Sequence, residues 1–252
     1  DITPTDDNRP FFYYMLKPAA FLDLFSFPER SPFEDRAILI LRNLLLVTAF
    51  LVAVVFALPL LLSRKKDGGN LALRRAAYFS CLGLGFMMIE IGLLRRFILF
   101  LGHPIYSLAV ILFSLLIFSG IGSRLSASKG GDRAFLIRIL LALVLLTPVY
   151  CYLLPGLLTS LVGMSLLIRC GIAVMLIAPL GLLLGMPLPL GISLLHADGS
   201  AIPWSWGING AASVLGTILA VVTAMNFGFN ATILMGAAIY LVAGRLLPRS
   251  QT

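Results

Sequence analysis

Histidine, cysteine and acidic residues are scarce in this 252-residue chain. It has two histidines, three cysteines and 11 acids. No Ser-His-Asp or Cys-His set and no pair of carboxylates occurs at a useful spacing, so hydrolytic and glycosidic chemistry are not indicated. The cysteines, Cys81, Cys151 and Cys170, lack metal-ligand spacing, so no metal site is expected. Cys151 and Cys170 fall near the outer ends of their helices and can in principle pair, but free thiols are the expected state. His103 and His196 fall near opposite faces of the bilayer and cannot hold one haem between them. His103, before Pro104 at a helix junction, is a candidate pigment or haem ligand only with help from another chain, interfacial hydrogen bonding being the plainer role. Gly83-Leu84-Gly85 and Lys129-Gly130-Gly131-Asp132 imitate fragments of cofactor loops. The first has no strand before it and the second is a short basic loop. No cofactor is expected; a lipid or pigment would have to be shared with partner subunits.

What the sequence does have is apolar length. It is 60% hydrophobic and 12% charged, with mean hydropathy +1.01, which places it among integral membrane proteins. Residues 1–35 hold seven acids and three bases, whereas the remainder has four acids and sixteen bases. Those bases lie in short loops between apolar runs. That suits membrane orientation and calls for no nucleic acid. The chain opens on Asp1 without a signal-peptide pattern, so it is expected to be a processed or incomplete piece of something longer.

The expected fold is all-α: a polytopic bundle of about seven spans (six possible) over residues 32–252, preceded by an interfacial linker over 1–31. Pro4, Pro10, Pro18 and Pro28 break the linker, and Phe11-Phe12-Tyr13-Tyr14 suits the headgroup level. Ser31, Pro32 and Glu34 read as N-cap, first helical residue and capping box. Spans are expected over 38–62, from about 76 to 94 or 101, and over 105–121, 134–154, 166–185, 204–225 and 231–247. Pro179 should kink the fifth, and Met186 to Gly191 is expected not to continue as helix. Alternate loops hold eleven bases (Arg64, Lys65, Lys66, Arg74, Arg75, Arg124, Lys129, Arg133, Arg138, Arg245, Arg249) against Arg95, Arg96 and Arg169. The first set and the C-terminus should therefore be cytoplasmic.

Glu90 is the one carboxylate inside an apolar run. A charge at membrane depth is costly, so a partner is expected on a neighbouring helix: Arg169, Tyr106 or Asn226, or Arg95 or Arg96 of its own helix if that is distorted. Losing one partner of such a clamp would cost about 3–5 kcal/mol. Three small-residue faces suit close helix contact: Gly85/Gly92, Gly181/Gly185, and Ala212-Gly216-Ala220-Ala224. At least one is expected to meet a separate subunit.

PTDDNRPFFYYML, GLGFMMIEIGLLRRFILFLGHPIYSLAVILFSLLIFSGIGSRLS and PWSWGINGAASVLGTILAVVTAMNFGF carry a resemblance, which Leu188-Pro189-Leu190-Gly191 extends. They resemble the C-terminal membrane portion of bacterial multi-spanning spermidine synthase-like proteins. The resemblance implies the bacterial cytoplasmic membrane, and a soluble aminopropyltransferase- or methyltransferase-type domain before a segment like Thr5-Asp6-Asp7. That domain, with its glycine-rich loop and acidic catalytic residues, is not in this chain. The leading expectation is thus a non-catalytic anchor or accessory subunit of a membrane complex, in contact with lipid and other membrane subunits. The alternatives are the membrane half of a polyamine transferase, and a small-solute transporter with Glu90 as coupling carboxylate and 179–191 as a gate.

Overall fold

In the computed structural model, residue 8 and residues 34–63, 69–195 and 202–247 are described. Among them there is no strand. The helices are α1 (Glu34–Ser63), α2 (Gly69–Leu101), α3 (Pro104–Ala127), α4 (Arg133–Tyr152), α5 (Leu154–Leu161), α6 (Leu166–Gly185), α7 (Pro187–Leu195) and α8 (Ile202–Leu246). Four stretches are long and apolar enough to cross a membrane: Pro104–Ala127, Arg133–Tyr152, Leu166–Leu194 and Ile202–Leu246. Apart from Asn8, the expected linker lies outside the described residues, as do Ser31, Pro32 and His196.

The hub is α2. Its 33 residues extend about 50 Å, more than a hydrocarbon core of about 30 Å needs, and Arg74 and Arg75 lie in its opening turns rather than in a loop. Tyr78, Phe79, Leu82, Ile89, Leu93, Phe97 and Phe100 are all buried along it. Its main partner is α8, which breaks at Gly228 (φ 86°, ψ 167°). The glycine contacts show how. A methyl on Gly83 would meet the Ser213 hydroxyl at 2.9 Å, and one on Gly216 would meet Leu84 and Met87, so the first arm of α8 ascends with α2. A methyl on Gly85 would meet Tyr240 at 2.8 Å, and one on Gly92 would meet Ile233, so the second arm descends. Gly228 therefore reverses the chain, and α2 lies against both arms.

With no hydrophobic drive between helices inside lipid, such contacts depend on close backbone approach and interhelical hydrogen bonds. All three small-residue faces are consumed this way inside the bundle. Gly85 and Gly92 face the second arm. Ala212, Ala220 and Ala224 are buried and Gly216 lies on α2. Gly181 and Gly185 sit against Phe118 and Ser119 of α3. The expectation that one of these faces meets a separate subunit is not met. What faces outward is bulky and apolar: Phe113 and Leu116 of α3, Leu145 of α4, Leu167 and Met175 of α6.

Buried tyrosines add the polar contacts. The Tyr78 hydroxyl donates to the Pro187 carbonyl at 2.8 Å, and that of Tyr150 donates to the Leu176 carbonyl. The 186–191 stretch corrects the sequence reading. It is helical from Pro187, because proline is pre-set for a first helical position and Pro189 falls in the first turn, where N–H groups have no helical partner anyway.

Candidate functional site

Glu90 is 7% exposed. It lies one turn beyond Met87, whose Cβ stands 3.2 Å from where a Gly216 methyl would be. No hydrogen bond or ion pair joins Glu90 to another described residue. Three of the partners expected for it are engaged elsewhere, and neither Tyr106 nor Arg96 pairs with it. Arg169 Nη1 donates to the Phe100 carbonyl at 2.7 Å. Arg95 sits over the Phe229 ring, 5.7 Å from its centroid. Asn226 Nδ2 donates within its own helix to the Val222 carbonyl. Tyr106 is exposed, with its ring 5.3 Å from that of His103. The clamp expected from the sequence is therefore not formed. Arg169 and Asn226 spend their donors on backbone carbonyls instead.

The sign of the expected substitution effect changes with this. A carboxylate buried without a partner contributes desolvation cost and no compensating pair. Glu90→Gln, nearly isosteric, is expected to leave the melting temperature unchanged or raise it. Thermal unfolding in detergent checks this, and a marked fall would reveal an ion pair after all.

The polar groups gather instead at the end of the bundle where α2 finishes. Gly102, at φ 78°, stops the helix, as a glycine in the left-handed region commonly does. One carbonyl left over at that end, that of Phe100, is satisfied by Arg169, and the Ser107 hydroxyl also reaches back to the Phe97 carbonyl at 3.0 Å. His103 then starts α3 as its N-cap, with Nδ1 accepting from Ile105 N–H at 3.3 Å and Pro104 in the first turn. What His103 does here is cap α3 by accepting that hydrogen bond. Arg169→Ala should withdraw a charge-assisted bond from a helix end, lowering stability by about 1.5–3 kcal/mol; Arg169→Lys should restore part of it.

The same end holds the Gly228 reversal and a residue the sequence reading did not single out. Asn8 lies over the turn. Its backbone carbonyl accepts from Phe229 N–H at 3.0 Å, and its Oδ1 accepts from Asn230 N–H at 2.8 Å. Asn8 thus acts as an N-cap, supplied from more than 200 residues away, for the second arm of α8. Asparagine is a favoured cap residue, yet nothing local in PTDDNRP indicates which helix it serves. Beside it lies a cavity of about 210 Å³, bordered by Arg96, Asn8, Asn230, Leu99, Leu158 and Val162.

A larger cavity, about 690 Å³, opens between α2, α3, α7 and the first arm of α8. Phe86, Met87 and Leu188 give it an apolar wall, and Ser119, Asn209 and Ser213 a few polar groups. Its size lies within the range of small-ligand pockets. Cys81, Cys151 and Cys170 are free thiols. Among the described residues no group of three or more His, Cys, Asp and Glu could hold a metal ion. Comparison with protein-family models, with curated proteins and with solved structures returns no match.

Proposed function

We propose that the chain is a non-catalytic membrane anchor or accessory subunit, whose rigid hub holds a soluble partner or preceding domain against one end of the bundle. The observation that supports this reading is the tie from Asn8 to the Gly228 turn. Two hydrogen bonds join a residue upstream of the first described helix to the break in α8, the hub's main partner. Anything borne on that upstream stretch would be fixed in orientation to the bundle rather than hung from a loose tether. The resemblance to spermidine synthase-like proteins suggests an aminopropyltransferase- or methyltransferase-type domain as the thing held.

In this reading the bundle spans the bacterial cytoplasmic membrane seven times, the two arms of α8 counting separately. The basic stretches 64–75 and 124–138, each a connection with the helix ends beside it, face the cytoplasm, and the 226–230 turn faces outward. Cysteine-accessibility labelling tests the topology: single cysteines in the two basic stretches should be labelled from one side and one at the turn from the other. Purification of the native protein in mild detergent tests the role. A stoichiometric protein partner, or a covalently continuous soluble domain, is the expected result.

Two observations favour a second reading, solute transport: the unpaired Glu90 and the 690 Å³ cavity. A monomer without a partner that moves a solute in proteoliposomes, with movement lost in Glu90→Gln, would replace the anchor reading with this one.

A further inference from the structure

We propose that the cavity beside Arg96 holds the phosphate of an anionic phospholipid headgroup. The first ground is charge. The Arg96 guanidinium is half-buried, with its Nε enclosed and without a hydrogen-bond partner. Arg169 donates to the Phe100 carbonyl and Arg95 stacks on Phe229, and of the three arginines Arg96 is the one that lines the cavity. No carboxylate of a described residue approaches it. Asp132 is engaged with Arg138 at 3.8 Å, and Glu90 stands six residues earlier on the same helix, turned well away. A partly desolvated guanidinium of this kind calls for an anion, and its planar fork suits phosphate oxygens.

The second ground is a matching acceptor. Asn230 lines the same cavity, and its Oδ1 is likewise enclosed without a partner. The N–H groups of Phe229 and Asn230 are already taken by Asn8, so they make no claim on a ligand. The cavity therefore offers one cationic donor and one neutral acceptor. A ligand that satisfies both carries an anion and, near it, a hydroxyl or amine proton. The third ground is the wall. Leu99 is 57% exposed and Val162 49%, and with Leu158 they give acyl chains an apolar path away from the polar pair. That continuity favours a lipid over free phosphate. Phosphatidylglycerol has the required features, a phosphate diester and two headgroup hydroxyls. Phosphatidylcholine has the phosphate but no headgroup donor.

The test uses the full chain, delipidated in mild detergent and titrated with dioleoyl phosphatidylglycerol, dioleoyl phosphatidylcholine or inorganic phosphate, with bound lipid counted by native mass spectrometry. Phosphatidylglycerol is expected to bind about tenfold or more tightly than phosphatidylcholine, the scale set by one charge-assisted contact. Arg96→Gln should erase that preference, whereas Arg138→Gln, near the start of α4, should not. Asn230→Asp gives an independent arm should Arg96→Gln fold poorly. It sets a carboxylate in the cavity, near a helix start where an acid is tolerated, and should exclude the lipid while the protein stays folded. Arg96-dependent binding of inorganic phosphate without any preference between the lipids would assign the site to a soluble phosphate and overturn the lipid. Equal affinity for both lipids in the unaltered chain, or a preference surviving in both variants, would overturn the site itself.

Discussion

Alanine at both Gly122 and Gly185 is expected to abolish the folded bundle or reduce its detergent-purified yield to a small fraction. These glycines form the reciprocal contact between α3 and α6. A methyl at Gly185 would stand 2.5 Å from Ser119 Cα, and one at Gly122 would stand 2.9 Å from the Leu182 carbonyl carbon. In each case the obstacle is backbone, which cannot swing aside as a side chain can, so one helix must retreat along much of its length. Overpacking a tight contact costs about 1–3 kcal/mol per site and occasionally more. Retreat would also forfeit the dispersion contacts that hold helices together where lipid is as apolar as the protein. Gly120, two residues before Gly122 on the same helix, is the control. Nothing lies within 4 Å of where its methyl would be, and alanine is the better helix former by roughly 0.5–1 kcal/mol. Gly120→Ala should therefore leave thermal stability unchanged or raise it. If the double variant melts with the unaltered protein, α3 and α6 do not pack this closely.

The contrast between Gly120 and Gly122 shows where sequence reading stops. Apolar runs announce helices because every backbone group must be satisfied within lipid, so the positions of α2, α3, α4, α6 and both arms of α8 were legible. Small-residue spacing also marked Gly85, Gly92, Gly181, Gly185 and Gly216 as close-contact positions, and all five are. What spacing does not carry is the identity of the facing surface. The same stripe reads equally well as an internal contact or a subunit interface, and here every such face is internal. Gly122 was missed because its partner, Leu182, is not small, and only the crossing of two helices makes the site tight. Polar partnerships fared worse for a related reason. A polar side chain in the bundle can also bond a backbone carbonyl, and Arg169 and Asn226 both do so rather than meet Glu90. Asn8 had no signal at all, since a cap supplied across the chain leaves no local pattern.

The turn that Asn8 caps should be the least tolerant of the three glycine positions with left-handed backbone among the described residues. Gly102, Gly131 and Gly228 have φ of 78°, 83° and 86°. Around Gly131 nothing lies within 4 Å of a built methyl, and at Gly102 only Arg169 does, at 3.9 Å, so alanine there meets backbone strain alone. That is about 1–2 kcal/mol for a residue other than glycine. Gly228 differs twice over. Its ψ of 167° puts it in a region that is essentially glycine-only, at about 1–3 kcal/mol. A methyl there would also stand 2.5 Å from Asn8 Nδ2 and 3.1 Å from the Asn8 carbonyl oxygen. Either the turn reshapes or Asn8 leaves, and if Asn8 leaves, Phe229 and Asn230 lose the acceptors for their N–H groups. Gly228→Ala should thus cost clearly more than Gly131→Ala, and thermal melting of the two side by side measures the difference. Asn8→Ala alone should cost about 1 kcal/mol, the usual worth of an N-cap side chain. In the Gly228→Ala background the same change should cost little, because the cap is already displaced, and the shortfall from additivity reports the coupling across the turn. Fully additive losses, or a Gly228→Ala variant as stable as Gly131→Ala, would mean that Asn8 does not rest on this turn, and the tie that supports the anchor reading would go with it.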